Sequence, residues 1–285
     1  MPILATMTMR EPVLSPVGAL IRHWRASRHL SQLDLALDAE VSARHLSFIE
    51  TGRSVPSRAM ILRLAEVLEL PLRDRNAMLE AAGYARMFRE TPLGAPEMAH
   101  IRKVLEFILE RHEPFGAVAL DRHWNIVMSN QALQRILAGL VDPSRVWGDG
   151  EPNLMRLTFH PHGIRPWIAN WDEVGPSLVA RLRREAGELN DDPKAAQILS
   201  EIMSYPGIPA AWNERDTALP PLLIPVHLRK DDLDVRLFST ITSLGTAQDI
   251  TLQELRIEAF FPADEISERQ LRSLAAPAGE ASQND

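Results

Sequence analysis

The run Ser42-Ala43-Arg44-His45-Leu46-Ser47-Phe48-Ile49 packs hydrogen-bonding side chains into a short segment whose apolar anchors are Leu46, Phe48 and Ile49. At helical spacing Leu46 and Ile49 point one way, which leaves Ser42, Arg44, His45 and Ser47 on the outer side. A guanidinium fork there can bridge both major-groove acceptors of a guanine, and the Ala43 methyl can touch that of a thymine. Phe48, one turn from Arg44, either packs inward or extends this face. Ser42, Ala43, Arg44, His45 and Phe48 are the expected base-reading set. Phosphate oxygens would be met by Gln32, which opens the preceding helix where backbone N–H groups are free, by Ser47, and by Arg53, Ser54, Ser57 and Arg58 just beyond. Arg22 and Arg25 on the first helix are further candidates.

Such a face needs a scaffold, and residues 16–83 supply the pattern for one. Val17, Leu20, Ile21 and Trp24 recur at helical spacing. Ser31, Ser42 and Ser57 each stand where an N-cap would begin the next helix. Leu33, Ala36 and Leu37 are expected on the buried face of the second helix. A fifth helix runs to Gly83. Five short helices in under seventy residues predict a compact bundle, and the turn "AEVS" between the second and third is short enough for a helix-turn-helix.

Charge divides the same way. The chain of 285 residues carries a net charge of −7, yet residues 1–96 hold 12 basic against 10 acidic side chains. A local basic face, not the total, is what a polyanion would meet. Length alone favours two domains. There is no cysteine, which removes disulfides and thiolate metal sites and suits a reducing cytoplasm. No apolar run reaches the roughly 18 residues of a membrane span. Residues 1–14 lack the pattern of a signal peptide and are expected to form a flexible arm.

Beyond a linker expected at 84–96, rich in Pro and Gly, the texture changes. An amphipathic helix over 97–112 would serve as a dimer or interdomain element, or pack on its own sheet. "FGAVALD" and "WNIVMSN" read as two strands around a tight "RH" hairpin, and Asn130 caps a helix. Helical stretches follow at 153–159, 171–188 and 193–203, then three strand-like runs, "LLIPVHLR", "DVRLFSTITSL" and "ELRIEAFFP". Two strands, a helical block and three strands predict an α+β domain over 97–275 with one curved five-stranded antiparallel sheet and helices on one side. A disordered tail is expected at 276–285.

"LSQLDLALDAEVSARHLSFIETGRSVPS" resembles the helix-turn-helix of phage-repressor-like (XRE) regulators. "FGAVALDRHWNIVMSNQALQRIL" has the cadence of a PAS-type sensor. With "NLMRLTFHPHGIRPWIANWDEV" and "RLFSTITSLGTAQDITLQELRIEAFFPAD", it resembles the ligand-binding domain of MmyB-like transcription regulators. The resemblance implies a cytoplasmic transcription regulator that binds a double-stranded DNA operator, and a PAS-like domain enclosing a small apolar ligand, with long-chain fatty acids as the associated class. A homodimer is expected because one such helix reads only a half-site.

Trp124, Phe159, Trp167, Trp171, Phe238 and Phe260 either line a cavity or make plain core. His160, Arg165 and Asn170 are the candidate polar anchors for a ligand carboxylate. His160 and His162 have no further partner at metal-binding spacing. No nucleophile elbow, phosphate loop or dinucleotide fingerprint is present, and the acidic pairs Asp191-Asp192 and Asp231-Asp232 read as loop charges. The expectation is no enzyme, no metal and no obligatory cofactor. Two other readings stay open for the second domain, a protein-interaction module without ligand and a hydrolase-like enzyme.

Overall fold

The computed structural model describes residues 16–148, 150–188, 192–213 and 223–275. The arm expected at 1–14, the tail at 276–285 and Asp191 lie outside the described residues. Contacts divide the chain into one unit of Met1–Thr91 with Gly245–Gln253, and a second of Pro92–Leu244 with Glu254–Asp285.

The first unit is a bundle of α1 (Pro16–Ser27), α2 (Gln32–Asp38), α3 (Ala43–Glu50), α4 (Arg58–Val67) and α5 (Leu72–Ala81). Ser31, Ser42 and Ser57 cap α2, α3 and α4 by accepting the backbone N–H three residues on. Asp34 completes a capping box on α2 by accepting the Ser31 N–H. The core gathers Val17, Ile21 and Trp24 from α1, Leu35 and Ala36 from α2, Leu46 and Ile49 from α3, and Ile61 and Leu64 from α4.

Leu33 and Leu37 depart from the expected face, at 68% and 74% exposed. The seven-residue α2 packs through the neighbours Leu35 and Ala36, followed by Ala39, so its inward stripe starts two residues later than the Leu33 spacing suggests. Gly18 lets α1 approach the end of α3. A Cβ at that position would lie 2.5 Å from the Ile49 carbonyl oxygen. Past the end of α3, Gly52 adopts φ 74°. Its N–H bonds to Ile49 O and that of Arg53 to Phe48 O, a Schellman closure.

Part of the segment expected as a linker is fastened to this bundle. The buried Asn76 on α5 accepts the N–H groups of Met87 and Phe88 and donates to Phe88 O. The segment Gly245–Gln253 contributes the Gln253 side-chain oxygen as acceptor for the first N–H of α5, and Asp249 as acceptor from Thr91.

The second unit opens with a 3-10 turn at Pro96–Met98 and α6 (Ala99–Arg111). Strands β1 (Ala117–Leu120) and β2 (Ile126–Ser129) follow, then α7 (Gln131–Leu140), α8 (Ser144–Trp147), α9 (Leu154–Phe159), α10 (Trp171–Glu188) and α11 (Pro193–Ser204). β3 (Val226–Lys230), β4 (Leu233–Ser243), β5 (Arg256–Pro262) and α13 (Glu265–Ala275) come last, and α12 (Ile250–Glu254), between β4 and β5 in sequence, belongs to the first unit but for its final residue. All pairings are antiparallel in a sheet ordered β2-β1-β5-β4-β3, so the first and last strands in sequence lie side by side at its centre. This is the curled five-stranded sheet expected of a PAS-like domain.

Strand alternation sorts the sheet into two faces. Val118, Leu120 and Phe260 pack with α7, α9 and α10, while Ala117, Ala119 and Ile257 pack with Leu105 and Leu109 of α6. Helices therefore cover both faces, not one as the sequence pattern suggested. α6 buries its apolar stripe on its own sheet. The β1–β2 turn spans five residues rather than a tight "RH" pair: Asp121 accepts the N–H groups of His123 and Asn125, with Trp124 at φ 67°. α13, too polar to be legible as a core helix, is held by Leu271 and by the buried Ser267, whose hydroxyl accepts the Arg236 N–H.

Candidate nucleic-acid interface and apolar cavity

On α3, Leu46 and Ile49 are fully buried and Arg44 is exposed. Arg44 lies over the half-buried Phe48 ring, 5.3 Å from its centroid, so Phe48 shelves the guanidinium. His45 and Ser47 are half-buried, and Ala43 packs partly against the bundle core. The Ser42 oxygen accepts the His45 N–H at 3.1 Å, which leaves its hydroxyl proton available. Arg53 and Arg58 are exposed, and among the described residues neither forms a salt bridge. Ser54 is half-buried, and the Ser57 oxygen accepts the Met60 N–H.

Three of the expected phosphate ligands are engaged by Glu50 inside the bundle. Gln32 donates its amide N–H to Glu50 Oε2 at 2.7 Å. Arg25 donates Nε to Glu50 Oε1 at 2.8 Å and Nη2 to Oε2 at 3.2 Å, while its Nη1 reaches Leu30 O. Arg22 donates to the Glu50 carbonyl. Hydrogen bonding to Glu50, reinforced by its charge, raises the Arg25 pKa against the opposing effect of burial. The fully buried Glu50 thus pins α1, α2 and α3 together. Sequence reasoning passed over it, although a carboxylate at the C-terminal end of a helix opposes the dipole and signals a partner elsewhere.

Within the second unit an apolar cavity of about 170 Å³ lies against the inner face of the sheet. Its wall includes Leu133 and Leu137 of α7, Leu157 of α9, Leu178 of α10 and Leu237 of β4. Of the nine residues expected there, Trp124 and Phe260 line it. Phe159 instead packs edge-on to Trp171 at 5.1 Å, and Trp171 meets Trp212. Trp167 donates to Leu140 O beneath Lys230. Phe238 has the opposite strand parity and stacks on Phe261 across the sheet's other face, at 5.3 Å.

The expected polar anchors are spent locally as well. His160 packs against Tyr205 and accepts the His162 N–H, and desolvation together with the His162 charge lowers its pKa. Arg165 donates to the carbonyls of Pro206 and Gly207. Asn170 bridges Pro225 O and the His227 N–H. Among the described residues no group of three potential metal ligands is present.

The polar groups on the cavity wall are Thr158, Ser177, Arg181, Ser239 and Glu258. Thr158 and Ser177 donate back to their own helices. Arg181 pairs with Glu185 and lies 4.4 Å from the Trp124 ring centroid. Glu258, on the central strand β5, is 7% exposed and its Oε2 has no hydrogen-bond partner. Burial pushes its pKa up, opposed by a hydrogen bond with Ser239 and by the charges of Arg181 and Arg256. The sequence signal was there in "RIEAFF": an acidic residue at the inward parity of an apolar strand.

Residues 101–274 match the model of the MmyB-like transcription regulator ligand binding domain, and residues 16–78 match that of a helix-turn-helix domain. The uncharacterized HTH-type transcriptional regulator RghRB of Bacillus subtilis is 36% identical over 78 residues, 27% of this chain and 54% of that protein. The chain thus spans about half the length of that relative. The ImmF control region 10 kDa protein of Bacillus phage phi105 is 35% identical over 74 residues, 25% of this chain and 82% of the phage protein. Among solved structures, the restriction-modification controller protein C.AhdI of Aeromonas hydrophila is 28% identical, with 21% of this chain and 92% of that chain covered, at a TM-score of 0.21. The clp gene regulator ClgR of Corynebacterium glutamicum is 24% identical, with 37% and 99% covered, at a TM-score of 0.22.

Proposed function

Because the chain belongs to the MmyB-like transcription regulator family, and is on that ground a DNA-binding regulator with a ligand-binding-type C-terminal domain, we propose that it is a homodimeric, effector-responsive regulator. Arg44, with Ser42, Ala43, His45 and Phe48, reads base edges. Arg53, Arg58, Ser47, Ser54 and Ser57 hold phosphates, and Gln32 does so through whatever hydrogen-bonding capacity its bond to Glu50 leaves. A dimer follows from the half-site argument, since one recognition helix spans only a few base pairs.

The observation that carries the effector reading is the cavity of about 170 Å³ behind the sheet, walled by leucines from α7, α9 and α10. A filled core would have favoured a protein-interaction module, and a hydrolase would need histidines converging with carboxylates. Among the described residues, no histidine lines this cavity. The resemblance implies a fatty-acid-like effector, and a small apolar molecule is the class the wall suits. Its occupancy would change operator affinity only by its differential affinity for two arrangements of the reading heads.

Native and then denaturing mass spectrometry of the purified protein tests this reading. Release of a small apolar molecule on unfolding, followed by a shift in operator affinity when that molecule is titrated back, is the expected result. A protein that purifies empty and whose operator affinity is unmoved by apolar compounds would overturn it. The dimer is checked by the mass of the protein–operator complex, expected to contain two chains per palindrome.

A further inference from the structure

We propose that the open edge of β4, from Ser239 to Ser243, pairs with the same stretch of a second copy of this chain, antiparallel about a two-fold axis at Ile241. This deepens the homodimer reading above by naming the surface that joins the two chains.

The first argument is an unfinished ladder. β3 pairs with β4 only from Lys230↔Leu233 to Val226↔Leu237, whereas β5 continues beside β4 as far as Ser243↔Arg256. On its β3 side the second half of β4 therefore has no strand partner among the described residues. The Ala263 N–H bonds to Arg236 O on the β5 side, and successive residues of an antiparallel strand aim their backbone groups to alternate sides. Ser239, Ile241 and Ser243 accordingly turn their N–H and C=O to the open edge. Thr240, Thr242 and Ser243 are exposed, as is Ile241 at 40%.

The described residues before β3 do not close this edge. Ile224 sits on the cavity wall and Leu223 is 58% exposed. The run leading to them and on to β3 carries Pro220, Pro221 and Pro225, a residue type without the N–H that a ladder needs. Elsewhere the sheet borders are guarded. On β3, His227 O accepts the Ala169 N–H and the His227 N–H bonds to Asn170 Oδ1. On β2, the Ile126 N–H bonds to Pro152 O. Charged side chains and prolines, the usual defences of an exposed edge, are absent from residues 238–243.

The second argument identifies the occupant. Residues 239–243 read Ser-Thr-Ile-Thr-Ser, the same in both directions. Two-fold pairing at Ile241 sets it against the partner's Ile241, Thr240 against the partner's Thr242, and Ser239 against the partner's Ser243. The isoleucines exchange both N–H···O bonds, as do Ser239 and the partner's Ser243. Thr–Thr and aliphatic cross-strand pairs are favourable, and no like charges meet. Length agrees as well. β3 reaches only Leu237, and β4 itself ends at Ser243, so the incoming strand stops just short of the place that β3 occupies. Ser239 also belongs to the cavity wall, so a molecule in the cavity meets the strand that pairs.

Sedimentation of the full-length protein without DNA should show a dimer. Ile241→Lys sets two ammonium groups opposite each other and should weaken that dimer at least about tenfold, with the melting curve unmoved because Ile241 is exposed. The chain has no cysteine, so single cysteines report the register. Ile241→Cys should link two chains by a disulfide under mild oxidation, its Cα lying about 5.5 Å from its counterpart. Thr240→Cys, about 8 Å from its own counterpart, should not, yet should link when mixed with Thr242→Cys.

A wild type monomeric in free solution, or a dimer untouched by Ile241→Lys, would overturn the pairing. Thr240→Cys linking to itself as readily as Ile241→Cys would overturn the register. If the operator complex still holds two chains in those cases, the homodimer reading stands and this edge alone falls. One chain per palindrome removes both. An Ile241→Lys protein that does not fold leaves the cysteine pattern to decide.

Discussion

Arg25 on α1 grips the fully buried carboxylate of Glu50 at the end of α3 with two hydrogen bonds, of 2.8 and 3.2 Å. A third, from Gln32 at the start of α2, completes the clasp. An arginine that looks available for phosphate is what holds α3 against its neighbours.

Removing one side of that clasp should therefore destabilise the bundle. Arg25→Ala leaves the buried carboxylate with only a 3.7 Å contact to the half-exposed Arg22 and the Gln32 amide, and breaking a buried pair costs up to about 3–5 kcal/mol. Urea titration followed by circular dichroism is the measurement. The double variant Arg25→Met with Glu50→Leu should recover much of the loss, since no charge then stays buried. A stability near that of the wild type in Arg25→Ala would show that water or Arg22 takes over the pairing.

Arg44 and Arg53 should separate by the kind of binding they support. Arg44→Ala should cost about 1–3 kcal/mol on the best operator and relax the preference at one base pair. Arg53→Ala should weaken binding to all sequences alike and lessen the salt dependence by about one phosphate contact. Operator variants titrated at several salt concentrations decide this, and equal losses across all sequences for both variants would reverse the assignment of reader and clamp.

Gly18 should tolerate no side chain. With the added Cβ 2.5 Å from Ile49 O and 2.8 Å from Glu50 O, both rigid backbone atoms, Gly18→Ala must push α1 away from α3. Overpacking of this kind costs about 1–3 kcal/mol. Both thermal stability and operator affinity should fall, whereas Ala19→Ser, on the exposed side of the same helix, should change neither.

Glu258 gives the fold a pH dependence of predictable sign. Its pKa is raised in the folded state, chiefly by burial, with Ser239, Arg181 and Arg256 pulling it down and Glu185 adding to the rise. The folded protein thus holds this proton at pH values where the unfolded chain has lost it. Stability falls as pH climbs from the ordinary glutamate pKa through the raised one, and the penalty is complete above it. Glu258→Gln cannot ionise, so its melting temperature relative to wild type should rise across that window. A constant difference from pH 4 to pH 9 would show that Glu258 does not titrate differently in the folded state.

Much of this protein follows from local chemistry that a sequence displays. Serine caps at 31, 42 and 57, the inward pair Leu46 and Ile49, and the outward Arg44 depend only on helical spacing and on backbone groups a few residues away. The two-strand, helical-block, three-strand order of the second domain follows from periodicity in the same way. Tertiary structure decided the rest, because those features depend on partners far apart in sequence. Gln32 and Arg25 turn inward because Glu50 arrives from another helix. Phe238 leaves the cavity because register against Phe261 sets its face. α6 closes the sheet's second face because Ala117 and Ala119 leave room for Leu105 and Leu109. Glu258 faces a cavity only once five strands and the helices above them have closed around it. Side-chain type and spacing name the candidates; which of them meet is settled by burial and by the need of each buried polar group for a partner.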